Sequence, residues 1–374
     1  MPGALHLTKK LALQYPWVRA PFIVAAPMRV MSGPELAVAV SHAGGLGFLG
    51  PSVKTQDTLV DLEKCKELVD NLRTSASSPF HTLPPIDSPL PIGVGFQLWS
   101  DNLDIATTAI QKFKPCAAWL FAPRHGQTDL TAWTLRIRTA SPQTQIWIQI
   151  GTLAEAEALV SSTGPSDSAR PDAIVVQGAE AGGHGRSTDG LGLTSLFPEV
   201  ADVLGQQGGI GGGQIPLFAA GGIADARGAL AGLSLGAEGV VMGTRFLASR
   251  EARISAGYQG EIVRARDGAV STTRTLLYNQ LRGTTGWPEG YSPRTIINRS
   301  FIEHQEGKSF EELKKLHDEA LKAGDGGWGV EGRLATYAGA SIGLIHDVKD
   351  AADIVRDCQR GVAERLAYLA GPSL

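Results

Sequence analysis

The sequence predicts an α/β protein: a (β/α)8 TIM barrel with a helical cap inserted after strand eight. Short apolar, β-rich runs alternate with helical patterns from the N-terminus onward. Eight such runs fall within roughly 230 residues, close to the ~250 typical of a closed barrel. Past Phe246 the alternation stops and a different pattern begins. A doubly wound open sheet would share the alternation, but eight sequential units favour closure.

The elements follow in order. Phe22-Ile23-Val24-Ala25-Ala26 is the first strand, closed by Pro27-Met28. Ser32 or Gly33 caps a helix with Pro34 at its first position and Gly44 past its end. The second strand lies at Leu46-Gly47-Phe48-Leu49, before a charged helix near Thr55 to Leu72 and a Ser/Pro-rich loop from Ser75 to Pro91. Strand three is expected at Ile92–Gln97, four at Ala117–Phe121, five at Gln145–Ile150 and six at Ala173–Gln177. Thr152 and Glu155 form a capping box after the fifth. Strands seven and eight are expected at Pro216–Ala220 and Gly239–Met242. The segment from about Ser249 to Ile342 reads as the cap, with a helix opened by Ser309-Phe310-Glu311-Glu312. From Asp347 to Leu369, Val348, Ala352, Val355, Cys358, Val362, Leu366 and Leu369 recur at three- and four-residue steps, the stripe of an outer-ring helix. The expected division is 1–248 barrel, 249–342 cap and substrate domain, and 343–374 C-terminal helix.

Composition narrows the function. The chain has 34 Lys+Arg against 37 Asp+Glu, a net charge of −3, which gives no pull toward nucleic acid or anionic lipid. Cys65, Cys116 and Cys358 share no metal-ligand spacing, so no metal site is expected, and a disulfide framework is excluded. Met1 to Gln14 does not read as a signal peptide, and no run reaches the ~18 apolar residues of a membrane helix. The tail Gly371-Pro372-Ser373-Leu374 lacks the basic residue of a peroxisomal address. A cytoplasmic location is expected, with a peroxisomal one and a homodimer left open. The 46 glycines, roughly 12% against an average of about 7%, supply close backbone approach and positive φ where phosphates sit.

In a barrel, chemistry belongs at the C-terminal strand ends. Ala219-Ala220-Gly221-Gly222-Ile223 after strand seven and Val241-Met242-Gly243-Thr244 after strand eight form a phosphate grip, in which backbone N–H groups reach one phosphate with no side chain in the way. Strand six ends in Val176-Gln177-Gly178-Ala179-Glu180-Ala181-Gly182-Gly183-His184. An imidazole titrates near ~6.5 and can accept a proton at neutral pH, and the glycines leave room for a flat ligand beside it. Glu180 reads as a carboxylate that orients loop N–H groups.

The run Gln177 to His184 closely resembles the signature of the nitronate monooxygenases, formerly 2-nitropropane dioxygenases. The resemblance extends to Ala26-Pro27-Met28, Gly44-Gly45-Leu46-Gly47, Gln149 with Gly151-Thr152, Ala220-Gly221-Gly222-Ile223 and Met242-Gly243-Thr244, roughly residues 20–250. It implies noncovalent FMN, with Pro27, Met28 and Gln97 near the flavin ring and Gln149 beside it. Gly183, Gly221, Gly222, Gly243 and Thr244 would hold the phosphate, with Ala26, Gln177, Gly178, Gly182, Ala220, Ile223 and Met242 completing the cofactor set. It implies oxidation of alkyl nitronates or nitroalkanes by dioxygen to a carbonyl compound and nitrite. His184 would then be the base for the acidic α-carbon and, once protonated, the electrostatic partner of the anion.

The sequence departs from the family at Arg124 and His125, where related proteins often carry Phe or small residues. Facing the pocket, they would favour a carboxylated or otherwise anionic substrate; facing outward, they are solvated loop residues. Trp99, Trp287, Trp328, Tyr291 and Phe301 are aromatic candidates for the mouth. The alternative reading is an NAD(P)H-dependent quinone or enoyl-thioester reductase on the same FMN barrel, which needs no GxGxxG motif. A flavin-free phosphate-sugar lyase is disfavoured, because no strand end offers a Schiff-base lysine.

Overall fold

The computed structural model describes residues 7–83, 88–161, 168–208 and 215–371. The extreme N-terminus (1–6), part of the Ser/Pro-rich loop (84–87) and the last residues of the tail (372–374) lie outside the described residues. The first six strands of the barrel are β1 (Phe22–Ala25), β2 (Leu46–Leu49), β3 (Leu90–Gln97), β4 (Pro115–Phe121), β5 (Gln145–Ile150) and β6 (Ala173–Gln177). A short strand outside the ring, β7 (Gly183–Arg186), comes next in sequence, and then β8 (Leu217–Ala220) and β9 (Gly239–Met242) complete the barrel. The ring closes in parallel register from Phe22 opposite Gly239 to Ala25 opposite Met242. Strands β3 and β4 begin two residues before the expected positions, because Pro91 and Pro115 at their starts read as loop.

The strands are apolar without alternation because both faces are covered. Aromatic rings fill the barrel: Trp147 lies 4.2 Å from Phe218, and Phe48 lies 5.1 Å from Trp119. Gly93 in β3 makes room for this packing, since a Cβ there would meet Phe48 Cε1 at 2.2 Å. At the N-terminal ends of the strands, Trp147 donates its indole N–H to Tyr15 Oη at 2.9 Å, and Gln14 donates to Gln145 at 2.6 Å. That end is plugged, which leaves the opposite end for a ligand.

The capping box forms as expected, with Glu155 N–H donating to Thr152 Oγ1 at 3.2 Å and Thr152 N–H donating to Glu155 at 3.1 Å. Gly33, rather than Ser32, caps the helix Pro34–His42. The last helix, Ala351–Ala370, packs against Pro34–His42 and Ala226–Ser234 in the outer ring. Its buried face is Ala351, Ile354, Val355, Cys358 and Val362; Val348 precedes the helix, and Leu369, expected on the stripe, is exposed. All three cysteines are free, buried thiols. No helix among the described residues is long and apolar enough to cross a membrane.

The segment after β9 is helical in large part: Ala256–Arg264, Leu277–Arg282, Arg299–Gln305 and Phe310–Lys322, the last capped by Ser309. It also contains two strands that the sequence reading did not contain, β10 (Thr272–Arg274) and β11 (Tyr291–Ile296). These form an antiparallel sheet in the order β10-β11-β7. One strand of the cap sheet is therefore supplied by the loop that leaves β6.

Candidate active site

Between β6 and β7 the chain is held from several sides. The half-buried Arg274 guanidinium, from β10, donates to the carbonyls of Ala179 at 3.2 Å, Ala181 at 3.0 Å and Gly183 at 3.3 Å. Arg294 of β11 adds a second bond to Ala179 O at 3.2 Å. Burial first, and then the nearby Arg294 cation, pull Arg274 down to about 10. The Glu180 carboxylate accepts the Leu193 N–H at 3.0 Å, the orienting role expected of it. Antiparallel pairing then sets His184 opposite Pro293.

His184 is mostly buried, and its ring lies flat against Trp287, with centroids 3.6 Å apart and an interplanar angle of 4°. Its Nε2 is 3.0 Å from the side-chain amide of Asn279, on the helix Leu277–Arg282. Its Nδ1 has no protein partner among the described residues and is not among the buried, closed-off polar atoms, so it opens on the cavity. Burial pushes the imidazole down to about 3; the Asn279 bond opposes that, and the cations Arg274, Arg282 and Arg29 add to it. The ring is neutral at physiological pH.

His184 and the glycine grip share one cavity of about 630 Å³, within the usual range for small-molecule sites. On the far side, Gly221 and Gly222 hold φ of +96° and +74°, a region L side chains rarely adopt. The N–H groups of Gly222, Gly243 and Thr244 have no protein acceptor among the described residues. Gly339, from the cap, donates to Thr244 Oγ1 at 3.0 Å and lines the same cavity with Ser341.

The family model for nitronate monooxygenase matches residues 12–81 and 135–358. The chain is 57% identical to "Nitronate monooxygenase npaC" of Metarhizium robertsii, over 93% of this chain and 92% of that one. It is 33% identical to "Nitronate monooxygenase" of Neurospora crassa, over 96% and 93%. The chain belongs to the nitronate monooxygenase family. It is an enzyme of that flavin-dependent oxidoreductase class. Its barrel superposes on a nitroalkane oxidase from Streptomyces ansochromogenes with a TM-score of 0.67, at 24% identity and covering 93% and 98% of the two chains.

Most residues that the family signature singles out converge on the cavity. Ala26, Pro27, Met28, Gln97, Gln149 and Gln177 line it, as do Gly182 to His184, Ala220 to Ile223, and Gly243 with Thr244. Gln149 is pre-oriented: Trp119 Nε1–H donates to its Oε1 at 3.0 Å, which turns the amide NH2 toward other acceptors. Gly178 and Met242 stand behind the lining. A Cβ on Gly178 would strike Glu180 and Leu193, and Met242 is enclosed, with its carbonyl accepting the Ala26 N–H at 3.1 Å.

Arg124 and His125 do not line the cavity. Both are exposed; Arg124 donates to the carbonyls of Trp99 at 3.3 Å and Gly286 at 3.0 Å, and so staples the loop that carries Trp287. The cations at the cavity are Arg29 and Arg282, and Arg282 also donates to Tyr337 Oη at 2.7 Å. Trp99 and Trp287 line the cavity, whereas Trp328 and Phe301 pack within the cap and Tyr291 packs against Phe121.

The residues fit a flavin mononucleotide on three observations. The phosphate end has unpaired backbone N–H groups. Its cradle needs the positive φ of Gly221 and Gly222. In the same cavity, buried Gln97 Oε1 is an acceptor without a partner among the described residues. Sequence reasoning missed the cap's share of the site: Asn279, Arg282, Tyr337, Gly339 and Ser341. Asn279 sits in a six-residue helix with no motif around it, so no local signal could have found it.

Proposed function

We propose that this enzyme binds FMN noncovalently and oxidises alkyl nitronates, and nitroalkanes after deprotonation, with dioxygen to a carbonyl compound and nitrite. The observation that carries the reading is a neutral, half-buried His184 sharing one cavity with a backbone grip suited to a phosphate. A flavin held there would supply the redox chemistry between the nitronate and dioxygen. The protein's own part is positional and electrostatic. Gly222, Gly243 and Thr244 hold the phosphate, and Gln97 and Gln149 flank the ring. The imidazole takes the α-proton of a nitroalkane, and the resulting cation holds the anion in a dry site. Nitronates arrive already deprotonated and need only the second role. Substrate enters between the barrel (1–248) and the cap (249–342).

The purified protein is expected to be yellow and to release FMN, one per chain, on heating. FAD or no flavin would overturn the cofactor. Anaerobic mixing with ethyl nitronate is expected to bleach the flavin at once, whereas rapid bleaching by NADH alone would favour a reductase.

Arg282 at the mouth supports a substrate that carries a second negative charge, such as propionate 3-nitronate. In Arg282→Ala, kcat/KM for propionate 3-nitronate is expected to fall about tenfold more than that for nitroethane nitronate, the scale of one partly solvated charged hydrogen bond. Arg124→Ala is expected to leave that ratio unchanged. Equal losses for the two substrates in Arg282→Ala would remove the residue from substrate recognition.

A further inference from the structure

We propose that Asn279 is a positioning residue that decides which nitrogen of His184 meets the substrate: its amide occupies Nε2 and leaves Nδ1 as the atom that takes the proton. This rests on the reading of His184 as the base. Asn279 is buried, comes from the cap 95 residues away in sequence, and lies 3.0 Å from Nε2. Nε2 is taken up by Asn279, whereas Nδ1 has no protein partner among the described residues, and the ring lines the cavity.

A neutral imidazole carries one N–H. For Nδ1 to offer a lone pair, the hydrogen must sit on Nε2, so the amide atom facing Nε2 must be the acceptor, Oδ1. The oxygen and nitrogen of an amide are interchangeable by a half-turn. The structure places the amide nitrogen toward Nε2 and leaves Oδ1 a buried acceptor without a partner among the described residues; the half-turn brings Oδ1 to Nε2–H and puts the NH2 in its former place. In the proton step the substrate Cα–H bond breaks, its electron pair stays on the nitronate, and the proton moves to Nδ1. The Nε2–H···Oδ1 bond persists throughout. Trp287, stacked on one face, opposes rotation of the ring out of this pose.

The choice of an amide is also electrostatic. The charged groups that act on the imidazole are Arg274 from β10, Arg282 from the same helix as Asn279, and Arg29 from the loop after β1; the Tyr337 ring stands 5.9 Å away. Asn279 adds no charge to them, so the base stays neutral. A carboxylate at this position would stabilise the imidazolium and keep the base protonated.

The test uses the flavin-loaded enzyme with 15N-labelled histidine, and the variants Asn279→Asp and Asn279→Leu. NMR of the parent is expected to show His184 protonated at Nε2 and bare at Nδ1. In Asn279→Asp, the acid limb of kcat/KM for neutral nitroethane is expected to move up by at least one pH unit. Asn279→Leu is expected to lose the tautomer preference, and at least tenfold in kcat/KM for nitroethane, part of the ~10²–10⁴ that a general base supplies. An Nδ1–H tautomer in the parent, or an unmoved acid limb in Asn279→Asp, would overturn the proposal. If His184 is not the base, His184→Asn keeps nitroethane oxidation intact while the NMR measurement still reports on Asn279, so the two failures are distinguishable.

Discussion

His184→Asn is expected to retain bound flavin and to lose ~10²–10⁴-fold in kcat/KM for neutral nitroethane, the usual contribution of a general base. Asparagine keeps a polar group of similar size in the place of the ring but cannot hold the proton. Oxidation of ethyl nitronate is expected to fall far less, because its proton is already gone. Steady-state kinetics with both forms, on enzyme matched for flavin content, make the comparison; equal losses would mean that the imidazole serves binding or electron transfer. The pH profile adds a sign. The imidazole is pushed down to about 3, chiefly by burial, so the parent's base is neutral throughout the physiological range. Its acid limb should lie well below the ordinary imidazole value of ~6.5. The same displacement bears on stability. Between about 6.5 and 3 the unfolded chain binds a proton at this residue that the folded chain does not, so stability rises with pH across that window. His184→Asn should flatten that part of the melting-temperature profile.

Gly222→Val is expected to yield a folded but colourless protein. The backbone there has φ of +74°, which a β-branched residue resists, and an added Cβ would lie 3.2 Å from Glu180 Cβ. The isopropyl group would also stand where the phosphate approaches the N–H groups of Gly222 and Gly243. Losing two hydrogen bonds to a charged group, each worth ~1.5–3 kcal/mol, corresponds to roughly 10²–10⁴ in FMN affinity. Gly260→Ala is the control: it lies in the exterior helix Ala256–Arg264, and an added Cβ meets nothing within 4 Å. Flavin titration of the apoprotein reads both. Wild-type FMN affinity in Gly222→Val would place the phosphate elsewhere.

The barrel and the glycine-rich end of the cavity were legible in the sequence because their causes are local. A strand covered on both faces must be an uninterrupted apolar run, as in Ile23-Val24-Ala25 or Ile174-Val175-Val176. A backbone held at positive φ in a tight turn favours glycine, as at Gly221 and Gly222. Each of these requirements acts on consecutive residues, so each leaves a mark at its own position. The base side of the site was decided by tertiary structure. His184 lies on the four-residue strand Gly-His-Gly-Arg, too short and glycine-rich to show a period, and it becomes a strand only because β11 pairs with it. Arg274, Asn279 and Trp287 reach the histidine and its loop from the cap, through contacts between segments about ninety or more residues apart. Arg124 carried a charge that the sequence could not orient, and the carbonyls of Trp99 and Gly286 turned it outward. Burial and charge at His184 are sums over all these elements, so the imidazole's neutrality belongs to the assembled fold.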